Sequence, residues 1–232
     1  MKLDNKRTIL TGFAFLSICA FWQMYNSIVP LILTNTFHLN ETYSGAIMAA
    51  DNILALFLLP LFGSISDRTN TKIGKRMPFI LFGTGLAIIL MNILPIIDNS
   101  YAAAPSTFKT VSFVVVLGLL LVAMGTYRSP AVALMPDITP KPLRSKGNAI
   151  INLMGALGGV IYLGVAAVMY PNSKVAGLAH VNYQPLFIVV ASIMFVAVAI
   201  LFLTIKEPKL IEEQRKLEAE HPEWNLAQDD GS

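Results

Sequence analysis

The sequence predicts an all-α integral membrane fold, a bundle of six transmembrane helices. Three observations carry that prediction. Of 232 residues, 55% are hydrophobic and 13% charged, about half the roughly 25% charge of an ordinary soluble domain. Six apolar runs reach the ~20 residues that a helix needs to cross a bilayer. The basic residues gather in alternate connections between those runs. A soluble fold of this length needs more polar surface than the chain supplies. Disordered, collagen-like and disulfide-scaffold classes fail on the dominance of apolar residues, the ordinary 15 Gly and 13 Pro, and the single cysteine, Cys19.

The first run, 9–33, follows Lys2, Lys6 and Arg7 and superficially resembles a signal peptide. It is too long for a signal h-region, and Trp22-Gln23 stands where a small-residue cleavage site belongs, so it reads as an uncleaved first span. Runs 43–61, 78–97, 111–135, 149–170 and 185–205 supply the other five. They are too long and too uniformly apolar to be the alternating, roughly ten-residue strands of a membrane barrel. Residues 206–232 carry four Lys/Arg and eight Asp/Glu without a long apolar run, and read as a charged tail outside the bilayer. Within it, 210–220 (LIEEQRKLEAE) reads as a helix, two of its acids preceding basic residues by three or four positions.

Fourteen Lys/Arg lie before the first span, in the second and fourth connections, and in the tail; two, Lys109 and Lys174, lie in the connections opposite. The positive-inside rule then puts both termini in the cytoplasm of a cell-membrane protein. Basic clusters confined to short loops beside apolar spans explain orientation, and no nucleic-acid partner is expected.

Ionisable groups in hydrocarbon are costly and usually face a bundle interior or a wet cavity. Asp51 lies twelve residues before Gly63 and Arg128 eight before Pro136, which places them ~18 Å and ~12 Å from the cytoplasmic end at ~1.5 Å per residue. Opposite charges at middle depths can pair directly or through substrate hydroxyls; a structural ion pair is the simpler reading. In the first span Cys19, Gln23, Asn26 and Pro30 share one helical face. Amides beside Trp22 and Tyr25 suit a sugar, with hydroxyls at its rim and C–H groups on its faces. Alternatively, the amides bond neighbouring helices and the aromatics mark an interface belt. Tyr127 adjoins Arg128. Gly155 and Gly159 form a GxxxG pair that lets backbones approach. The sequence has no HExxH, CxxC, nucleophile elbow or Walker loop, and no enzyme activity, cofactor or metal is expected.

Two segments resemble a known family. GSISDRTNTKIGKRMPFI, residues 63–80, is similar to the cytoplasmic loop of the major facilitator superfamily. Its long interval between Asp-Arg and Gly-Lys-Arg, followed by Pro-Phe-Ile, resembles the glycoside–pentoside–hexuronide and sucrose–proton symporter branches. RSPAVALMPDIT, residues 128–139, followed by Arg144 and Gly147-Asn148-Ala149, resembles the fourth span and following loop of the same transporters. The likeness covers roughly residues 9–207. It implies a cytoplasmic gate of Gly63, Asp67, Arg68, Gly74, Lys75 and Arg76, in which Asp67 holds basic groups and the start of a facing helix. Asp137 and Arg144 are expected to form a similar cluster. Leu121 stands where plant sucrose symporters carry an acid, and Ala55 and Leu59 where the melibiose-type branch carries a pair; Asp51 is the remaining carboxylate for proton or sodium coupling.

Members of this superfamily have two six-span halves with substrate near the midplane between them. The chain is therefore expected to be an N-terminal half, 1–205, with 206–232 resembling the start of the central linker. Its second half would come from the same longer chain, a separate subunit or a homodimer. The expected function is sugar or glycoside transport by proton or cation symport, with Arg128, Gln23, Asn26 and Tyr25 binding substrate in the lipid bilayer. The alternative is a non-transporting membrane interaction subunit or a truncated remnant.

Overall fold

The computed structural model describes residues 3–222 and 224. Its long helices are α1 (Asn5–Leu31), α2 (Glu41–Arg68), α3 (Met77–Ala103), α4 (Thr107–Asp137) and α5 (Arg144–Met169). A short helix α6 (Asn172–Val175), then α7 (Gln184–Thr204) and α8 (Glu207–Glu220), complete the order. Six of them are long and apolar enough to cross a membrane. The helix expected at 210–220 begins earlier, at Glu207; residue 223 and residues 225–232 of the predicted tail lie outside the described residues.

The helices overrun the predicted spans because backbone hydrogen bonding continues past the apolar residues until a cap ends it. Asp4 caps α1, its Oδ1 accepting from the Arg7 N–H at 3.0 Å. Asn40 caps α2 by accepting from the Tyr43 N–H at 2.9 Å. At its far end α1 widens into a π-helical stretch, Ile32–Thr36, just past Pro30.

α1 is the axis of the bundle, packed on α5 and α7; α3 packs on α4 and α7, and α2 on α4. Phe21, Met24 and Ile28 of α1 join Met91 of α3, Met124 of α4 and Phe187 of α7 in one core. Tyr127 points into α1, away from the open side. Its hydroxyl donates to the Ala14 carbonyl at 3.0 Å and is hydrogen-bonded to Ser17 Oγ at 2.5 Å. On α2, by contrast, only Ser44 and Ser66 are buried.

Lipid tails are as apolar as leucine, so helices in a bilayer associate through close packing. The α1–α5 seam shows this. A side chain at Gly158 would run into the Leu16 carbonyl, and one at Gly155 would come within 2.9 Å of Cys19 Sγ. Gly159 has more room, its nearest neighbour being Gln23 Oε1 at 4.0 Å. The tightest approach thus falls at Gly158.

The end of the bundle away from the termini closes with polar contacts. His180 Nε2 donates to Asn99 Oδ1 at 2.8 Å, and Asn99 Nδ2 donates to Asn182 Oδ1 at 2.9 Å. Thr36 Oγ1 meets His180 Nδ1 at 3.4 Å. Under them sits Asp98, 0% exposed, with His180 Nε2 3.8 Å away and, among the described residues, no hydrogen-bond partner for either carboxylate oxygen.

Candidate functional site

Two constellations stand out, one at middle depth and one at the end bearing the termini. At middle depth α1 presents Trp22 and α4 presents Arg128, whose guanidinium lies over the indole 5.6 Å from the ring centroid. Trp22 meets Phe21 and Tyr25 edge-on, each at 5.3 Å between centroids. Tyr25 is buried, and among the described residues neither its hydroxyl nor Trp22 Nε1 has a hydrogen-bond partner. Asn26 is exposed, while Gln23 is half-buried beside the α5 seam.

Asp51 and Arg128 do not meet. Neither takes part in an ion pair among the described residues, and Asp51 Oδ1 instead accepts from the Asn52 N–H at 2.6 Å. The direct pairing weighed from the sequence is therefore absent. A fixed cation on an aromatic face, with orphaned donors around it, can take hydroxyl or carboxylate oxygens and stack a ring.

The second constellation is built on Arg76, the last residue before α3, whose side chain is 5% exposed. Its Nε donates to Asp137 Oδ2 at 2.9 Å, one terminal nitrogen to Ser66 Oγ and the Gly63 carbonyl, and the other to Asp67 Oδ1. Lys75 Nζ adds contacts to Asp137 at 3.0 Å and Asp67 at 3.7 Å. Two carboxylates and two cations from three elements so compensate one another where either sign alone would be costly. Asp67 stays more than half exposed, leaving it free to take a further partner. Arg68 is exposed and enters no ion pair among the described residues.

Arg144 departs from the expected cluster with Asp137. It begins α5 after a 3-10 turn, Lys141–Leu143, and is directed to the Thr139 carbonyl at 3.2 Å and to Glu218 of α8 at 3.8 Å. Asp137, at the end of α4, is already occupied by Arg76 and Lys75.

The residue that sequence reasoning missed is Glu207. Fully buried, it opens α8 and aims its carboxylate at the start of α3. There it accepts from the N–H groups of Lys75 (2.9 Å), Arg76 (2.9 and 3.1 Å) and Met77 (2.9 Å). These are orphan donors of a helix N-terminus, where the macrodipole favours an anion. Gly74 makes the approach possible: its φ is +119°, and any side chain there would collide with that carboxylate. A signal existed in the chain. α3 starts on Lys75-Arg76-Met77-Pro78, with no Ser, Thr, Asp or Asn cap and with cations where anions belong.

Comparison with known proteins bears on this arrangement. A family model described as the Major Facilitator Superfamily matches residues 11–227. The chain belongs to the major facilitator superfamily. It is a multi-pass membrane protein of a transporter family. The sucrose transport protein SUC3 of Arabidopsis thaliana is 30% identical over 154 residues, 60% of this chain and 25% of that protein. The sucrose transport protein SUT3 of Oryza sativa subsp. indica is 31% identical over 123 residues, 47% of this chain and 24% of that protein. The alpha-ketoglutarate permease of Escherichia coli strain K12 is 27% identical over 195 residues, 81% of this chain and 41% of that protein. These matches span between a quarter and about two fifths of the relatives' own lengths.

Proposed function

We propose that this chain is one six-helix half of a secondary sugar carrier, with its termini in the cytoplasm and Arg128 at the centre of its side of the substrate site. The observation that carries this reading is the pairing of Arg128 with Trp22: an arginine at middle depth, without a carboxylate partner, held over an aromatic face. A sugar fits both parts, its hydroxyls accepting from the guanidinium and its C–H face stacking on the indole. Asn26 and Gln23 add amides, and the Tyr25 hydroxyl is a reserve donor if substrate opens its surroundings. Likeness to plant sucrose transport proteins supports this substrate class. The remaining half of the site would come from a second six-helix half, and residues 206–232 would begin the linker towards it.

Asp51 serves in this reading as the coupling carboxylate for a proton or sodium ion. It makes no ion pair with Arg128 among the described residues, so the ion and the sugar would be held by separate groups. The cluster around Arg76 acts as the cytoplasmic gate, with the exposed part of Asp67 receiving the second half when the gate is shut. The test is uptake of labelled sucrose by cells producing the chain together with its complementary half. Losing charge-assisted hydrogen bonds should lower uptake by Arg128→Ala roughly 10- to 100-fold, and Asp51→Asn should abolish acceleration by an inward ion gradient. Wild-type uptake in both variants would overturn the site.

A carboxylate substrate is the second reading. It is favoured by the same unpaired guanidinium, which can bind a carboxylate in bidentate fashion, and by the 81% of the chain that aligns with the alpha-ketoglutarate permease. Competition of sucrose uptake by a 2-oxo dicarboxylate, or its own saturable uptake, decides between the two.

A further inference from the structure

We propose that the cleft where α1, α7 and α8 meet, at the end bearing the termini, binds the headgroup of an anionic phospholipid. The cleft encloses about 280 Å³. Its rim carries Lys6 and Arg7 from α1 and Lys206 and Lys209 from the α7–α8 elbow, with Asp4 and Glu213 as the acids. Both acids lie against Arg7, Asp4 at 3.7 Å and Glu213 at 3.3 Å, and neither pairs with a lysine of the cleft among the described residues. Lys6, Lys206 and Lys209 enter no ion pair among the described residues and are exposed. Three lysines from two parts of the chain thus line one cleft, and with Arg7 they outnumber its two acids. Lysine suits this role as a compact point charge for a phosphate.

The walls and the depth select a lipid over a soluble phosphate. Leu10, Ile205 and Leu210 line the same cleft, an apolar floor that a free anion has no use for. On the membrane side, within a turn of the basic residues, Ile9, Phe202 and Leu203 are exposed and offer a surface for acyl chains. A phosphodiester with two tails therefore fits, its phosphate among the lysines and its glycerol against the apolar floor. Basic pockets between transmembrane helices bind anionic headgroups by this arrangement. The elbow also fixes α8, so an occupied cleft would tie α8 to the membrane surface.

The test uses the purified full chain in detergent micelles with dioleoyl-phosphatidylglycerol, dioleoyl-phosphatidylcholine or inorganic phosphate added. Retained lipid is counted by native mass spectrometry and the unfolding midpoint is followed by tryptophan fluorescence. Phosphatidylglycerol is expected to be retained in preference to phosphatidylcholine and to raise the midpoint. Lys206→Gln/Lys209→Gln should reduce that preference roughly fivefold per lysine. Lys72→Gln/Lys146→Gln removes two charges from the same end outside the cleft and should leave it unchanged. Lys6→Gln is the independent variant if the elbow double variant unfolds. Equal loss in both double variants means diffuse surface attraction and overturns the site. So does equal retention of the two lipids, or stabilisation by inorganic phosphate that matches phosphatidylglycerol.

Discussion

Asp98 is a fully buried carboxyl without a hydrogen-bond partner among the described residues. A carboxylate with no solvent and no hydrogen bond forfeits its hydration without replacement, and the imidazole 3.8 Å away donates to Asn99 instead. Removing a buried charge that lacks a hydrogen bond removes its desolvation cost. Asp98→Asn is therefore expected to raise stability by about 1–3 kcal/mol, read as a higher midpoint in thermal unfolding; a lower midpoint would show that the carboxylate is paired with His180. In the sequence Asp98 directly follows a run ending at 97 and looks like a surface residue. Its burial comes from the 170–183 connection folding back through His180 and Asn182, a long-range contact that hydropathy does not register. Arg128 and Asp51 were legible because an ionisable group inside an apolar run is conspicuous. Their separation was not, since depth along two helices says nothing of the angle between their faces.

At the scale of elements, the start of α3 and the start of α8 form a single joint. Glu207 supplies the cap that α3 lacks, and Gly74 supplies the space. Glu207→Gln keeps the shape but removes the charge and leaves at least one N–H poorly served. A loss of about 2–3 kcal/mol is expected, measured as a lower unfolding midpoint together with faster proteolysis of α8. Unchanged proteolysis would mean that α8 is held by its other contacts, chiefly Arg7 with Glu213 and Arg144 with Glu218. The spacing in residues 63–80 pointed to a cluster here; Gly63, Asp67 and Lys75 meet, centred on Arg76 rather than on Asp67, and Arg68 stays outside. Sequence spacing names the participants; which of them is buried depends on α4 delivering Asp137 from a different part of the chain. Arg144 escaped for the same reason, because the turn before α5 sets its direction.

Across the whole molecule the six spans were the most legible feature, since bilayer thickness fixes their length and composition fixes their positions. The boundary of the folded unit was less so. Hydropathy ends the bundle at 205, whereas the buried carboxylate two residues later belongs to its interior. A chain cut after Ile205 is expected to lose stability comparable to that of the Glu207 variants, and a chain cut after Glu220 to retain it, as judged by the fraction of monodisperse protein in size-exclusion chromatography. The separation between cap and helix has a further consequence during synthesis. Glu207 lies 131 residues beyond Arg76, and at ~5–20 residues per second the ribosome needs roughly 6–26 s to cover that distance. Throughout that interval the Glu207 carboxylate cannot serve the first turn of α3, so this joint can close only after the sixth span has been made.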